Sequence, residues 1–478
     1  MNRHAQFPPA AAPGIITQAL QLFTLGRFPE AKALLNLAER SVRDGDYFRL
    51  RGLILAHLDE LEDALACFRK AVAIAPGNPA NHLNLADHCR RLGRVPLAVQ
   101  HYRKAQDLSP SDRHASLALA ELLVRTGEIA TRHQARNFAR ERPDVMFSIA
   151  NALYENGAQD DAIRLLEDTV AQAPAWVEPR IFLGKWKTDR VKVWHFQMMR
   201  DDGRNRAYEQ ALRQAVTPDS HVLEIGTGSG LLSMMAARAG AARVTTCEAI
   251  GIIAETAAAI VRDNGLTDRI SVVAKPSNNL RLGDDLPAKA DILVAEIIGD
   301  ELLAEGVLAA TLDARQRLLK PDARLIPYRI ASVVMLVGGK DLEQLISVER
   351  QEGFDLSAFN RFVPLSMSLT ARGLNLHHLS AKQTAFDFDL RADGFAPQER
   401  TMEFSVTEAG RCVGVLQWIR LHLDENTAFE NAPTNEFLPS GWRPVLFPFP
   451  RPLDVVAGQA ITVLAKHNVI SQVFLLAS

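Results

Sequence analysis

The chain is poor in cysteine, close to electrically neutral, and without any long apolar run. Its four cysteines, Cys67, Cys89, Cys247 and Cys412, are scattered with no CxxC pair, which suits a reducing compartment and supplies no ligand set for a metal. A formal net charge of −2 over 478 residues gives no field that would draw in nucleic acid or an anionic bilayer. No stretch approaches the roughly 20 apolar residues of a membrane span. The first residues, 1–13, are rich in Ala and Pro without a basic-then-apolar signal pattern, and read as a disordered lead-in to a cytoplasmic protein. Secreted disulfide scaffolds, membrane proteins and polyanion binders are thereby set aside. Hydrophobic content of 47% and charged content of 23% are those of a soluble globular protein, and the length calls for two to four domains.

Internal repeats are present. Ala64, Phe68, Ala71 and Pro76 recur 34 positions later as Ala98, Tyr102, Ala105 and Pro110, the tetratricopeptide period. Ala31, Leu35 and Ala38 lie one residue short of that period upstream, and Ala162, Leu166 and Thr169 resume it downstream. A small residue stands twelve positions before each leading alanine: Ala19, Gly52, Ala86 and Ala150. Two antiparallel helices approach closely only where the side chain is tiny and a larger neighbour fills the gap. Four repeats are therefore expected, with a degenerate repeat or displaced helix over Ser111–Asp144. The concave surface of such an array suits a protein substrate or partner. Trp176, Phe182 and Trp186 suggest a packed end rather than a floppy linker.

From Ser220 the texture changes to alternating strand and helix. Strands are expected at His221–Ile225, Arg243–Glu248, Ile270–Ala274 and Asp291–Glu296, and helices at Leu231–Ala239, Gly251–Asn264 and Leu308–Leu319, which is a βαβ pattern. After Pro327 strands dominate: Ile330–Val337, Thr384–Leu390, Thr401–Val406, Val413–Leu423 and Ala460–Ala465.

The run Glu224-Ile-Gly226-Thr-Gly228-Ser-Gly230 places glycines between a strand and a helix, where backbone can approach a ligand and positive φ is tolerated. Glu248 ends the next strand 20 residues after Gly228, where a carboxylate can accept from both ribose hydroxyls. A dinucleotide site would need a third glycine where Leu231 stands. The pattern resembles instead the methyltransferase version, which implies S-adenosylmethionine as cofactor.

After the fourth strand comes Ala295-Glu296-Ile-Ile-Gly299-Asp-Glu-Leu-Leu-Ala-Glu305-Gly306. On a straight helix Glu296 and Glu305 would lie about 13 Å apart on opposite faces. If the chain reverses near Gly299 they can converge and hold a planar cation by paired N–H···O contacts. This segment resembles the double-E loop of the protein arginine methyltransferases, and Trp194-His195-Phe196-Gln-Met198-Met199-Arg-Asp201-Asp-Gly-Arg204-Asn205 resembles that family's cofactor lid, so that the resemblance covers about 190–478. It implies catalysis by Glu296 and Glu305. Arg204 would hold the cofactor's methionyl carboxylate, Met199 would pack near the sulfonium, and His195 would help close the site, alongside Glu224, Gly226, Gly228, Gly230 and Glu248.

The chain departs from the family pattern at two places. Where the family has Thr-His-Trp it reads Ser440-Gly441-Trp442, so the histidine that would pair with an acid is missing while Trp442 is kept to shape the substrate pocket. The acid expected after the third strand gives way to Ser277-Asn278-Asn279, where a hydroxyl or an amide would serve in its place beside the adenine.

The expected architecture is multidomain: a tetratricopeptide solenoid over 14–175, a Rossmann-like α/β methyltransferase domain over 176–327, and a C-terminal β-barrel over 328–478 carrying an arm-like insertion. That arm, Lys340–Leu379, points to pairing between two chains or within one. The expected activity is methylation of arginine in protein or peptide substrates, with the repeats binding substrate or a partner. Two alternatives stay open: methylation of another amine or small molecule, and an inactive repeat scaffold.

Overall fold

The computed structural model describes residues 12–38, 44–140, 142–369, 375–433 and 440–477. Residues 1–11 of the expected lead-in lie outside these. The chain divides into two compact units, Met1–Asp189 and Arg190–Ser478.

The first unit is helical. α1 (Ala12–Thr24) pairs with α2 (Phe28–Ala38), α3 (Gly45–His57) with α4 (Leu61–Ile74) and α5 (Pro79–Arg91) with α6 (Val95–Leu108). There follow α7 (Arg113–Arg125), α8 (Arg132–Ala139), α9 (Pro143–Glu155), α10 (Gln159–Gln172) and α11 (Val177–Arg190). The small residues do what the spacing predicts. A Cβ on Gly52 would stand 2.6 Å from the Phe68 ring, so the α3–α4 contact exists only because residue 52 has no side chain. Ala19, Ala31, Ala64, Ala86, Ala98, Ala150 and Ala162 are all fully buried.

Helix starts carry a second 34-residue rhythm, since Asp44, Asn78 and Asp112 accept from the backbone N–H of Tyr47, Ala80 and Ala115, as N-cap side chains do. Positive φ recurs at Asp59, Gly93 and Gly127, turning each first helix into its second. The period therefore runs on through α7, and the irregularity expected over Ser111–Asp144 is confined to α8. That helix has 8 residues, begins in a Thr131/Gln134 capping box and stops at Arg140 with φ 48°. At the end of the array Trp186 stacks on Tyr154 at 4.2 Å, and Trp176 and Phe182 pack edge-on against Phe147.

The second unit opens with α12 (Trp194–Met199) and α13 (Asp202–Ala215). Its first sheet is parallel, in the order β3-β2-β1-β4-β5. The strands are β1 (His221–Ile225), β2 (Arg243–Cys247), β3 (Ile270–Val273), β4 (Ala290–Ala295) and β5 (Leu319–Ile326), and the helices α14 (Leu231–Arg238), α15 (Gly251–Asp263) and α16 (Val307–Arg317). β1 is buried along its whole length, as a central parallel strand covered on both faces must be. The helix expected to reach Leu319 ends at Arg317, and Leu319 begins β5. Pro321 disguised that strand, and it is tolerated because β5 is an edge.

The C-terminal half is antiparallel. β6 (Arg329–Gly338) is followed by α17 (Lys340–Ile346), a small hairpin of β7 (Arg350–Gln351) and β8 (Phe354–Asp355), then β9 (Met367–Ser368) and β10 (His377–His378). Next come β11 (Gln383–Asp389), β12 (Gln398–Ser405), β13 (Gly410–His422), β14 (Ala428–Glu430), β15 (Val445–Val455), β16 (Ala460–His467) and β17 (Gln472–Leu476). They form a seven-stranded sheet around β6-β13-β15 and a three-stranded sheet β12-β16-β17. β15 carries Pro448, Pro450 and Pro452, which hid it from a propensity reading; only its first two residues pair with β9, so the rest has a free side on which proline costs no ladder bond. One continuous apolar core runs from Val222 and Leu293 of the parallel sheet to Phe386, Phe447 and Phe474 of the antiparallel ones. On the arm-like insertion Phe354, Phe359 and Phe362 are left 65–71% exposed.

Candidate active site

The glycine loop leaves the carboxyl end of β1. Gly226, Gly228 and Gly230 have φ of +89°, +51° and +81°, a run of left-handed conformations that side chains resist. At Gly226 close approach adds a second demand, because a Cβ there would come within 2.7 Å of Ile297. Glu248 braces this loop: its carboxylate accepts from Gly228 N at 3.1 Å and Ile250 N at 3.0 Å. Glu224 lies inside the sheet, 1% exposed. Ser233 and Thr246 donate to one of its oxygens, and Thr227 joins through Thr246 at 2.6 Å. Burial pushes the Glu224 carboxyl up to about 7, against the pull of those two hydroxyls. Glu224 thus ties β1 to α14 and β2 and fixes the start of the loop. Ser277 and Asn278 sit in a single 3₁₀ turn after β3, at the same carboxyl edge of the sheet.

The acidic loop follows β4. A Cβ on Gly299 would stand 3.1 Å from that of Ala304, and Glu305 Oε1 lies 3.8 Å from the same point, so the chain doubles back on itself. The turn starts at Gly299, whose carbonyl accepts from Leu302 N at 2.9 Å, and Leu302 takes a φ of +65°; Gly299 also supplies the close approach. Glu296 is 13% exposed and its Oε2 lies 2.9 Å from Arg204 Nη2. Burial pushes the Glu296 carboxyl up to about 7, Arg204 opposes the shift, and the negative charge of Glu305 adds to it. Glu305 is raised as well, by the protein crowded around it and by the charges of Asp300 and Glu248. The two glutamates are therefore close enough to feel each other's charge.

This loop is held from the C-terminal half. Trp442, 3% exposed, donates its indole N–H to Ile298 O. Asp300 accepts from Arg443 N at 2.8 Å, Arg443 Nε at 3.0 Å and Ser368 Oγ at 2.7 Å. Ser366 Oγ donates to Glu301 at 2.6 Å.

The lid residues differ in burial. Arg204 is buried, with its guanidinium 5.2 Å from the Tyr208 ring centre and 6.0 Å from that of Trp442. Its Nη1 donates to Asn205 at 2.7 Å, and its Nε is buried without a hydrogen-bond partner. His195 stacks on Trp194 at 3.9 Å and its Nδ1 lies 2.9 Å from Lys192 O. Met199 is 38% exposed, whereas the adjacent Met198 is 6% exposed and belongs to the core. The family resemblance implied Met199 near the sulfonium. A buried arginine nitrogen awaiting an acceptor, a glycine cradle and a carboxylate at the end of β2 are the donor and acceptor set that an amino-acid nucleoside requires, so the residues present fit S-adenosylmethionine.

Comparison with known proteins agrees with this geometry. An arginine N(omega)-methyltransferase from Streptomyces achromogenes subsp. streptozoticus is 35% identical over 272 residues, covering 57% of this chain and 75% of that protein. The chain belongs to the arginine N-methyltransferase family. Protein arginine N-methyltransferase 7 from Oryza sativa subsp. indica is 34% identical over 251 residues, of which the chain spans 35% of that relative's length. Residues 208–328 match the family profile described as ribosomal protein L11 methyltransferase (PrmA), and residues 16–79 and 83–131 match a tetratricopeptide repeat profile. Among solved structures, the Trypanosoma brucei PRMT1 enzyme-prozyme heterotetrameric complex with AdoHcy aligns with a TM-score of 0.51 at 24% identity, over 59% of this chain and 89% of that one; that likeness carries the fold.

Set against the family's pattern, several contributors escaped the sequence reading: Thr246 and Ser233 under Glu224, Asp300 under the acidic loop, and Asp201. The signal for Asp201 was present, since an aspartate three residues before Arg204 is an N-cap for α13, and its Oδ1 accepts from Arg204 N at 2.9 Å. The others are long-range partners with no local motif. Trp442 reaches the acidic loop through its indole N–H on Ile298 O.

Proposed function

We propose that this member of the family transfers a methyl group from S-adenosylmethionine to a guanidinium nitrogen of arginine in protein substrates, which the helical repeats bind directly or through a partner. The observation that carries the reading is the reversal of the loop after β4, which sets the nearly buried Glu296 and the exposed Glu305 beside the glycine loop.

An arginine guanidinium keeps its proton, with a pKa of about 12.5 or more, so a neutral nucleophile is scarce. Two carboxylates address this by drawing the delocalised charge toward the nitrogens they contact and orienting the remaining one. Arg204 holds Oε2 of Glu296 at 2.9 Å, which fixes that side chain and leaves its other oxygen for the substrate. When bound, S-adenosylmethionine supplies a methyl carbon on a sulfonium, whose C–S bond breaks as the C–N bond forms. The attacking nitrogen then sheds one proton. With a carboxyl pushed up to about 7, Glu296 is basic enough to take it and acidic enough to release it to water. Trp442 walls the pocket and steadies Ile298. Arg204 would hold the methionyl carboxylate, Glu248 the ribose, and Ser277 and Asn278 the adenine edge.

In this reading residues 14–175 select the protein, 176–327 hold the cofactor, and the antiparallel sheets of 328–478, which we take as the family's barrel, complete the substrate side. The exposed Phe354, Phe359 and Phe362 support pairing through the arm. The test is incubation with labelled cofactor and either free arginine, an arginine peptide or a cell extract, followed by hydrolysis to amino acids. Methylarginine from peptide and extract is expected; label on another amine, or on free arginine alone, would replace the reading, and no label would leave the repeat scaffold.

A further inference from the structure

The histidine missing between Ser440 and Trp442 has left a structure of its own. We propose that Ser440, Gly441 and Met198 form a latch that holds the cofactor lid against the substrate side of the pocket, with Ser440 as a positioning residue; this rests on the functional reading above.

Asp201 is the centre of the latch. It is 4% exposed, and both its oxygens are occupied: Oδ1 by Arg204 N at 2.9 Å, Oδ2 by Ser440 Oγ at 3.0 Å and Gly441 N at 3.1 Å. Three donors on its two oxygens satisfy this buried carboxyl group. It has no need of an imidazole. The serine hydroxyl and one backbone N–H thus replace the missing side chain as the tie between α13 and the loop before β15.

Gly441 is required by its neighbour rather than by its backbone. It is not among the residues with positive φ, yet a Cβ built on it would lie 1.8 Å from Met198 Sδ, 2.6 Å from Cγ and 2.9 Å from Cα. Rotating the methionine would relieve the first two contacts. It would not relieve the third, which is to the backbone of α12. Met198 therefore fills the volume that a side chain at 441 would need, and the two positions are matched: a larger residue at 441 must push α12 outward. Trp442 follows directly, with its indole on Ile298 O and its own carbonyl accepting from Asn431 at 3.2 Å. A shift of the latch would thus reach the acidic loop through Trp442 and the cofactor side through Arg204.

The test titrates S-adenosylhomocysteine into the full chain by calorimetry and measures kcat and KM on an arginine peptide. The variants are Ser440→Ala, Ser440→Thr, Gly441→Ala, Met198→Ala and the Met198→Ala/Gly441→Ala pair. Losing one buried hydrogen bond to a carboxylate should weaken S-adenosylhomocysteine binding and lower kcat by about tenfold each in Ser440→Ala. KM should stay nearly constant, and Ser440→Thr, which keeps the hydroxyl, should recover most of both. Gly441→Ala should cost at least about tenfold in affinity alone and about threefold less once Met198 is alanine, because truncation removes the contacts to Sδ and Cγ and leaves the one to Cα; such coupling is expected only of residues in contact. Equal penalties for Gly441→Ala in both backgrounds, or Ser440→Ala at wild-type values, would overturn the latch. If Gly441→Ala does not fold, the serine pair decides. Because the coupling is read in S-adenosylhomocysteine binding, it survives a failure of the arginine assignment: coupling without methylarginine would sink the substrate reading and keep the latch.

Discussion

The helical unit and the catalytic unit bury different things. Inside the repeats the buried residues are mostly apolar and small-against-large, as with Gly52 under Phe68, and the polar groups that are buried, such as Asn81, close helix ends by donating to Ala71 O and Ala75 O. Inside the catalytic unit Glu224 on β1 and Asp201 and Arg204 at the start of α13 are buried, and Glu296 is nearly so. Burying charge is costly unless it is paired and bonded. The first unit is shaped by what packing allows, the second by what chemistry needs and packing must accommodate.

That contrast can be broken at its strongest point by Phe68→Ala, which should remove about 3–5 kcal/mol from the helical unit through cavity formation. In a denaturant titration the loss should appear in the helical signal, with S-adenosylhomocysteine affinity unchanged; a parallel loss of affinity would mean that the units are not separable. Next in size is Glu296→Gln or Glu305→Gln. Each should lower turnover by about 10²–10³-fold, as removal of a group aimed at developing charge does, while S-adenosylhomocysteine still binds. Near-normal turnover by both variants would sink the clamp.

Titration sharpens the comparison because the raised carboxyls lie on one side of it. Glu296 must be ionised to hold a cation, so kcat/KM should rise with pH through about 7. The stability effect has the opposite sign. Glu224 is raised from 4.5 to about 7, so its contribution is complete below its unfolded value and is lost as pH rises through the folded one. The melting temperature of Glu224→Gln should therefore lose less between pH 5 and pH 8 than that of the wild type. An identical pH dependence would show that Glu224 is not protonated on folding. The smallest effect is expected at Ser277→Ala, within about threefold in cofactor affinity, since one hydrogen bond at a partly exposed turn is worth little net.

How much was legible follows the same division. Periodicity exposed the repeats because each helix pair obeys a local rule, and even the caps at Asp44, Asn78 and Asp112 repeat it. The glycine loop and both glutamates were legible because ligand binding demands particular residues in a fixed order. β5 and β15 were not, since Pro321 and Pro448 argue against strands unless one knows that those strands have a free side. Which of Met198 and Met199 turns into the core depends on a helical phase that six residues of α12 cannot reveal. The tie from Ser440 to Asp201 spans 239 positions, and no local pattern announces a contact of that range.

The most direct test is to titrate matched peptides into the S-adenosylhomocysteine-bound enzyme, one with arginine at the acceptor position and one with citrulline, which has the same shape and no charge. At least about tenfold tighter binding of the arginine peptide is expected for a buried, bidentate, charge-assisted contact, and the preference should collapse in Glu296→Gln and in Glu305→Gln. Equal binding of the two peptides by the wild-type chain would contradict the account.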